Sequence, residues 1–386
     1  MSKRAALTGR LLHRVEARHV EHVRGALIAW FEERRRPLPW RETGADGRRD
    51  PYRVWLAEVM LQQTRVEQAR PYFERFVETF PTVEALAEAP LDDVLKAWEG
   101  LGYYSRARNL HRAAQQIASD HGGRFPADEA AARALPGVGD YTVAAVLSLA
   151  YGVPLAVLDG NVARVLARVF AVEEDARSSV TRHALHAVAS ALLDPDRPGA
   201  FNEAMMELGA TVCTPMSPAC LRCPLRPVCA AFAQGRTEHF PVVSKRKPTP
   251  HYDIAVGVVT DAEGRVLVQK RPEEAMLGGL WEFPGGKREG DEPLAETCRR
   301  EVAEEVGLAV EVGEEIARID HAYSHFSITL HAFRCALAET AGEAVHHAGQ
   351  PVAWVAVERL GDYAFPRASR RLIERLLDER RRPTLF

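Results

Sequence analysis

Residues 135–161, LPGVGDYTVAAVLSLAYGVPLAVLDGN, decide how the rest of the chain is read. Leu135-Pro136-Gly137-Val138-Gly139 predicts a tight turn that a side chain at either glycine would crowd, with an apolar helix immediately after it. The N–H groups of Gly137, Val138 and Gly139 then face outward with the helix N-terminus, a phosphate site that fixes a nucleic acid by its backbone without reading sequence. An ordinary helix-turn-helix corner explains these five residues equally well. Asp159 follows an apolar segment and precedes Gly160-Asn161-Val162, where a helix with Val162, Val165, Leu166 and Val169 on one face begins. Alone, such an aspartate is an N-cap. A hairpin followed some twenty residues later by an aspartate at a helix mouth is a much rarer arrangement.

That arrangement resembles the helix-hairpin-helix, Gly/Pro-rich, Asp superfamily of DNA glycosylases. The resemblance implies that Asp159 stabilises the positive charge developing on a sugar as its base departs. At 386 residues the chain has length for two or three domains, and 46% hydrophobic with 27% charged residues is a soluble globular composition. A formal net charge of −3 excludes a generally cationic polyanion binder, so contacts to DNA must come from local patches and backbone N–H groups. The N-terminus carries Lys3, Arg4, Arg10 and Arg14 without an apolar run and cleavage site, and the apolar stretch from Ala144 to Leu158 is broken by Gly152 and Pro154. No membrane association is expected, and a cytoplasmic, monomeric protein is.

Working toward the N-terminus, Val23, Leu27, Trp30 and Phe31 predict a helix that stops at Arg34-Arg35-Arg36-Pro37-Leu38-Pro39-Trp40-Arg41, an extended loop presenting Trp40 and Arg41. A buried anchor is the alternative for Trp40. In DPYRVWLAEVMLQQT, residues 50–64, Glu58 interrupts a buried helix. A carboxyl there is costly unless paired or protonated, and a raised pKa suits a general acid; a partly exposed, ordinary Glu is the alternative. LPWR, PYxVWLxEVMLQQT, GLGYYSRARNL, LPGVGxYT, LDGNVARVL and FNEAMMELGATVC together resemble the A/G-specific adenine glycosylase family (MutY type) over about residues 20–230. The resemblance implies Glu58 as the acid that protonates adenine N7, Gln63 and Tyr103 as wedges in the DNA stack, Asn161 beside the catalytic Asp159, and Trp40, Arg41 and Glu203 as contacts to the extruded adenine. Two core tyrosines remain the alternative at Tyr103-Tyr104.

Breaking an N-glycosidic bond independently calls for a proton on the leaving base and an anion near the oxocarbenium ion, one protonated and one ionised carboxyl. Tyr141 occupies the place where bifunctional relatives carry an attacking lysine, and a phenol cannot form a Schiff base, so base removal by water is expected. Four of the six cysteines, Cys213, Cys220, Cys223 and Cys229, share one short proline-rich window, a four-thiolate metal site rather than disulfides. Zinc and [4Fe–4S] both take four cysteines, and the resemblance to the endonuclease III and MutY clusters implies iron–sulfur.

Residues 231–251 combine Lys245, Arg246 and Lys247 with three prolines, a basic linker that either follows DNA phosphates or is simply solvated. Beyond it, IAVGVVT, RVLVQKR, FSITLHAFRCAL and VAWVAV alternate with period two, a mixed sheet with helices. Gly286-x5-Glu292-x7-Arg300-Glu301-Val302-x-Glu304-Glu305-x-Gly307-Leu308 fulfils the Nudix box, with Glu301, Glu304 and Glu305 on one helix face, able with Gly285 to hold Mg²⁺ against a diphosphate. WEFPGGK resembles the MutT-type 8-oxo-dGTP hydrolases, although Ser369 stands where those carry a base-reading Asn. Tyr323-Ser324-His325-Phe326 resembles the MutY loop that probes the lesion, which gives Ser324 and His325 a lesion-sensing role.

The expected architecture is multidomain: an all-α helix-hairpin-helix glycosylase domain over 1–230 with an iron–sulfur loop, the linker, and an α+β Nudix domain over 252–386. The expected activity is monofunctional removal of adenine paired with 8-oxoguanine or guanine in duplex DNA, the C-terminal domain sensing the lesion. A dual enzyme that also hydrolyses nucleoside triphosphates and a non-enzymatic lesion reader are the competing readings.

Overall fold

The computed structural model describes residues 2–244, 248–323, 325–339, 344–345 and 349–381, apart from the side chain of Arg18. Packing divides the chain into two compact units, one of residues 1–87 with 112–246 and the other of residues 88–111 with 247–386. The expected linker charges Lys245, Arg246 and Lys247 lie outside the described residues, as does Ser324.

The first unit is helical. Its core joins Leu27 and Phe31 of helix Ala17–Arg34 to Val162, Val165 and Leu166 of helix Gly160–Val169, Leu185 and Val188 of helix Ser179–Leu192, and Ala204, Met205 and Leu208 of helix Pro198–Thr211. Gly209 sets the closeness of two of these helices: a Cβ there would lie 2.5 Å from Asn161 Cβ and 3.0 Å from its backbone. Helix Pro51–Leu61 starts on the N-cap Asp50, whose side chain accepts the Tyr52 N–H, with Pro51 at its first position. It buries almost every side chain, Glu58 included. Helix Asp140–Tyr151 follows the hairpin and ends on Gly152 in the left-handed conformation.

The second unit carries a seven-stranded sheet: β1 (His251–Thr260), β2 (Arg265–Lys270), β3 (Trp281–Glu282), β4 (Gly285–Lys287), β5 (Val310–Ala322), β6 (Ser327–Leu337) and β7 (Val352–Ala356). Its order is β3-β2-β1-β6-β5, with β4 on β1 and β7 on β2; β1 and β6 run parallel, and the other pairs among the described residues are antiparallel. Both faces are covered, and β1 is accordingly buried without a break from Ala255 to Val259 where a period-two alternation was expected. Val256 and Val258 pack with Leu372, Ile373 and Leu376 of helix Arg367–Arg381, while Ala255 and Val259 pack with Cys298, Val302 and Val306 of helix Leu294–Val306.

Residues 88–111 belong to this unit through specific bonds. Glu99 Oε1 accepts the Phe365 N–H at 2.9 Å, Lys96 donates to Tyr363 O at 3.1 Å, and Arg108 donates to Gly278 O at 2.6 Å. Within the segment, Gly102 O accepts from Trp98 Nε1 and from Arg106, each at 3.1 Å.

Candidate active site

The hairpin and the two expected carboxyls meet in one cleft of about 710 Å³, lined among others by Glu58, Gln63, Gly137, Gly139, Tyr141, Asp159 and Asn161. Gly137 has φ +72°, which explains glycine there. Gly139 corrects the expected crowding: its φ is −93° and nothing lies within 4 Å of a Cβ built on it. Val138 is also not an outward donor, because its N–H closes the turn on Leu135 O at 3.2 Å and its side chain is buried.

Glu58 is 5% exposed, and burial pushes its carboxyl up to about 7. The Tyr141 hydroxyl donates to Glu58 Oε2 at 2.6 Å and opposes that rise; Glu203 and Asp159 reinforce it, and Arg41 opposes it. The same hydroxyl lies 3.3 Å from Met206 Sδ. Burial, followed by Glu58 and Asp159, holds Tyr141 well above the ordinary phenol range, so it remains a donor. Asp159 is the N-cap of helix Gly160–Val169 and also lines the cleft. Its Oδ1 accepts the Val162 N–H at 2.7 Å and its Oδ2 the Asn161 amide at 2.8 Å. Burial raises its pKa against these bonds, which favour the anion.

Sequence reasoning missed the residues that brace this pair. Arg164 donates to Asn161 Oδ1 at 2.9 Å, to Gly209 O at 2.7 Å and to Cys213 O at 2.8 Å. Arg168, fully buried, donates to Cys213 O, Thr214 O and Pro215 O. Both lie on the helix that Asp159 caps, at the four-residue spacing of one face, which is a signal the sequence did carry.

Trp40 is buried edge-on against Phe73, with ring centroids 5.3 Å apart, which is the anchor alternative. Arg41 Nε donates to Glu203 Oε1 and its NH2 to Glu207 Oε2, each at 3.0 Å. Gln63, exposed at the cleft, has φ +58° and Tyr103, in the second unit, φ +52°. Non-glycine residues in that region cost about 1–3 kcal/mol, and Ala171, Ser217 and Leu277 share it.

The four thiols of Cys213, Cys220, Cys223 and Cys229 are half-buried and unbridged. Burial pushes Cys223 up to about 12, with Cys213, Cys229 and Cys220 adding to the rise. Among the described residues no three His, Cys, Asp or Glu side chains are grouped for a single ion. Four thiols are a donor set that zinc and an iron–sulfur cluster both take.

In the second unit, Arg300 donates to Glu292 at 2.8 Å, Glu301 at 2.9 Å and Glu304 at 3.0 Å. Glu305 Oε2 accepts the Gly285 N–H at 3.0 Å and a bond from Gln269. A Cβ at Gly286 would collide with the Glu301 carboxylate. The three glutamates thus share a helix face as expected, but Glu304 and Glu301 are engaged by Arg300 and Glu305 by β4 and β2. Tyr323 and Phe326 stack with centroids 4.7 Å apart and close a turn through Tyr323 N–H to Phe326 O at 2.8 Å, leaving His325 exposed.

Residues 56–191 match the model of the HhH-GPD superfamily of base excision DNA repair proteins, and residues 255–375 match the NUDIX domain model. The fold and cleft therefore define a DNA N-glycosylase of base excision repair joined to a Nudix domain. Similar curated proteins are the adenine DNA glycosylase of Rattus norvegicus, 34% identical over 93% of this chain and 78% of its own length, and that of Homo sapiens, 35% identical over 81% and 67%. The chain belongs to the adenine DNA glycosylase family. A solved thermostable thymine-DNA glycosylase is similar at 28% identity over 55% of this chain and 98% of its own, with a TM-score of 0.48. No described helix is long and apolar enough to cross a membrane.

Proposed function

We propose that this protein removes adenine from duplex DNA where it is mispaired with 8-oxoguanine or guanine, and that residues 1–230 carry the chemistry. The observation that supports it most is the pairing of a buried carboxyl held near neutrality, Glu58, with a half-buried one fixed by two donors, Asp159, in one cleft. Flipping the nucleotide costs a few kcal/mol, which Gln63 and Tyr103 offset as wedges while Gly137 and Gly139 N–H groups hold phosphate. With Tyr141 on Oε2, Glu58 directs its proton from Oε1 to adenine N7. The C1′–N9 bond breaks with its electron pair moving onto the base, Asp159 stabilises the cationic sugar, and water adds to C1′ and loses a proton. Tyr141 offers no amine, so no Schiff base forms and the enzyme is monofunctional.

Four cysteine thiolates hold a [4Fe–4S] cluster in this reading, bracing the helix that presents Asp159 through Arg164 and Arg168; iron and acid-labile sulfide analysis tests it. Residues 231–251 act as the linker, and residues 252–386 sense the lesion through Ser324 and the exposed His325, one such hydrogen bond being worth about 0.5–1.5 kcal/mol. A second reading, nucleotide hydrolysis with Mg²⁺, is favoured by the intact box and its Arg300 fork. The deciding experiment measures single-turnover adenine release from 8-oxoguanine·adenine, guanine·adenine and thymine·adenine duplexes. Selective release from the first two is expected. Absence of release, or near wild-type rates for Glu58→Gln or Asp159→Asn, refutes the mechanism. Equal rates in wild type and Ser324→Ala plus His325→Ala refute the sensing role, and pyrophosphate release lost in Glu304→Gln plus Glu305→Gln establishes the second activity.

A further inference from the structure

We propose that Arg49 is a further specificity-determining residue of the adenine site: as a positioning residue, it fixes the orientation in which Glu203 reads the exocyclic amine of the base. The inference rests on the reading of Glu203 as an adenine contact. Glu203 is 3% exposed on helix Pro198–Thr211. Its Oε1 accepts from Arg41 at 3.0 Å and its Oε2 accepts from Arg49 NH2 at 2.6 Å. One turn along, Glu207, 2% exposed, accepts from Arg41 at 3.0 Å and from Arg36 through Nε at 2.7 Å and NH2 at 3.0 Å. Arg41 also donates to Arg36 O at 2.9 Å. The five side chains thus alternate in charge as Arg36, Glu207, Arg41, Glu203 and Arg49.

Arg36 is shared between Glu207 and the exposed Glu67, and Arg41 between Glu207 and Glu203, so Arg49 is the one arginine of the three that serves Glu203 alone. That matters because the charge on Glu203 is felt at Glu58. An ionised carboxylate only accepts hydrogen bonds, which suits the two N–H donors of an adenine amine; a protonated one presents a competing donor. Leaving Glu203 with one cation loosens its aim, since Arg41 on Oε1 alone then fixes the carboxylate and Oε2 loses its donor. Placement is rigid as well. Arg49 immediately precedes the Asp50 N-cap of the helix that carries Glu58, so base reader and acid are aligned by one element.

The test uses the full-length protein and two duplexes, 8-oxoguanine opposite adenine and opposite unsubstituted purine, which lacks the amine. Arg49→Met is expected to lower the adenine-to-purine ratio of single-turnover rates about tenfold, the scale of one charge-assisted hydrogen bond. Arg49→Lys, which restores the charge without the planar fork, should recover part of it. An unchanged ratio in Arg49→Met overturns the proposal, whether both rates fall together, as a purely structural role requires, or neither falls. Glu203→Gln serves as the parallel arm. If wild type excises adenine but Glu203→Gln leaves the ratio unchanged, the reading of Glu203 fails on its own account.

Discussion

Tyr141→Phe removes one hydrogen bond, from the phenol to Glu58 Oε2 at 2.6 Å, and keeps the ring that fills the site. That bond favours ionised Glu58, so its loss raises a carboxyl that burial already holds near 7. A hydrogen bond to a charged group is worth about 1.5–3 kcal/mol, and at about 1.36 kcal/mol per pH unit the rise is about 1–2 units. Glu58 works protonated, so the excision rate falls as pH rises through its pKa. The basic limb should therefore lie near pH 7 in wild type and near about pH 8–9 in the variant. At pH 8 about a tenth of wild-type Glu58 is protonated against about half or more in the variant, so Tyr141→Phe retains a larger share of its own maximal rate there. Single-turnover adenine release followed from about pH 5.5 to about 9.5 at constant ionic strength reads the limb directly. A limb that stays in place or moves downward refutes the role given to the Tyr141 bond.

Glu58→Gln should abolish excision and stabilise the fold above neutrality. Because the folded pKa of about 7 exceeds the ordinary 4.5, the stability Glu58 contributes is full below about 4.5 and is lost up to about 7, roughly 3 kcal/mol in all; urea unfolding of both proteins at pH 5 and pH 8 checks the sign. Asp159→Asn should lose excision yet stay within about 1 kcal/mol of wild-type stability, since Asn caps a helix as well as Asp, and a larger loss in denaturation would show a mainly structural aspartate. Gly209→Ala should cost about 1–3 kcal/mol in the same assay, because its Cβ would lie 2.5 Å from Asn161 Cβ; unchanged stability would mean the helix contact yields freely.

The chemistry-bearing residues were legible where the signal is local. Glu58 stands on an apolar helix, Asp159 stands at a helix mouth, and the apolar runs of β1 and β6 announce a sheet, although their nearly unbroken burial shows both faces covered where period two was read. The spacing of Arg164 and Arg168 on one face was legible but their partners were not, because the bracing depends on pairings far apart in sequence, such as Arg164 with Cys213 O and Arg49 with Glu203. Glu207 carried the same signal as Glu203, a carboxyl on an apolar helix at i+4, and it is equally buried between arginines. Gly139 shows the converse error. Its place in the motif suggested steric need, yet the protein leaves open space beside it, so any closeness that demands glycine there comes from a ligand.

The bonds from residues 88–111 to Tyr363, Phe365 and Gly278 also order events during synthesis. Phe365 leaves the ribosome roughly 250 residues after His111, and at about 5–20 residues per second Glu99, whose Oε2 can pair with Lys96 at once, waits about 13–50 s for the N–H that bonds its Oε1. Until then the segment that carries Tyr103 has emerged without its native partners, while the helices on either side of it can already begin to pack. A nascent chain stalled before the last strand should accordingly be cut by protease between Glu88 and His111, and a completed one should resist.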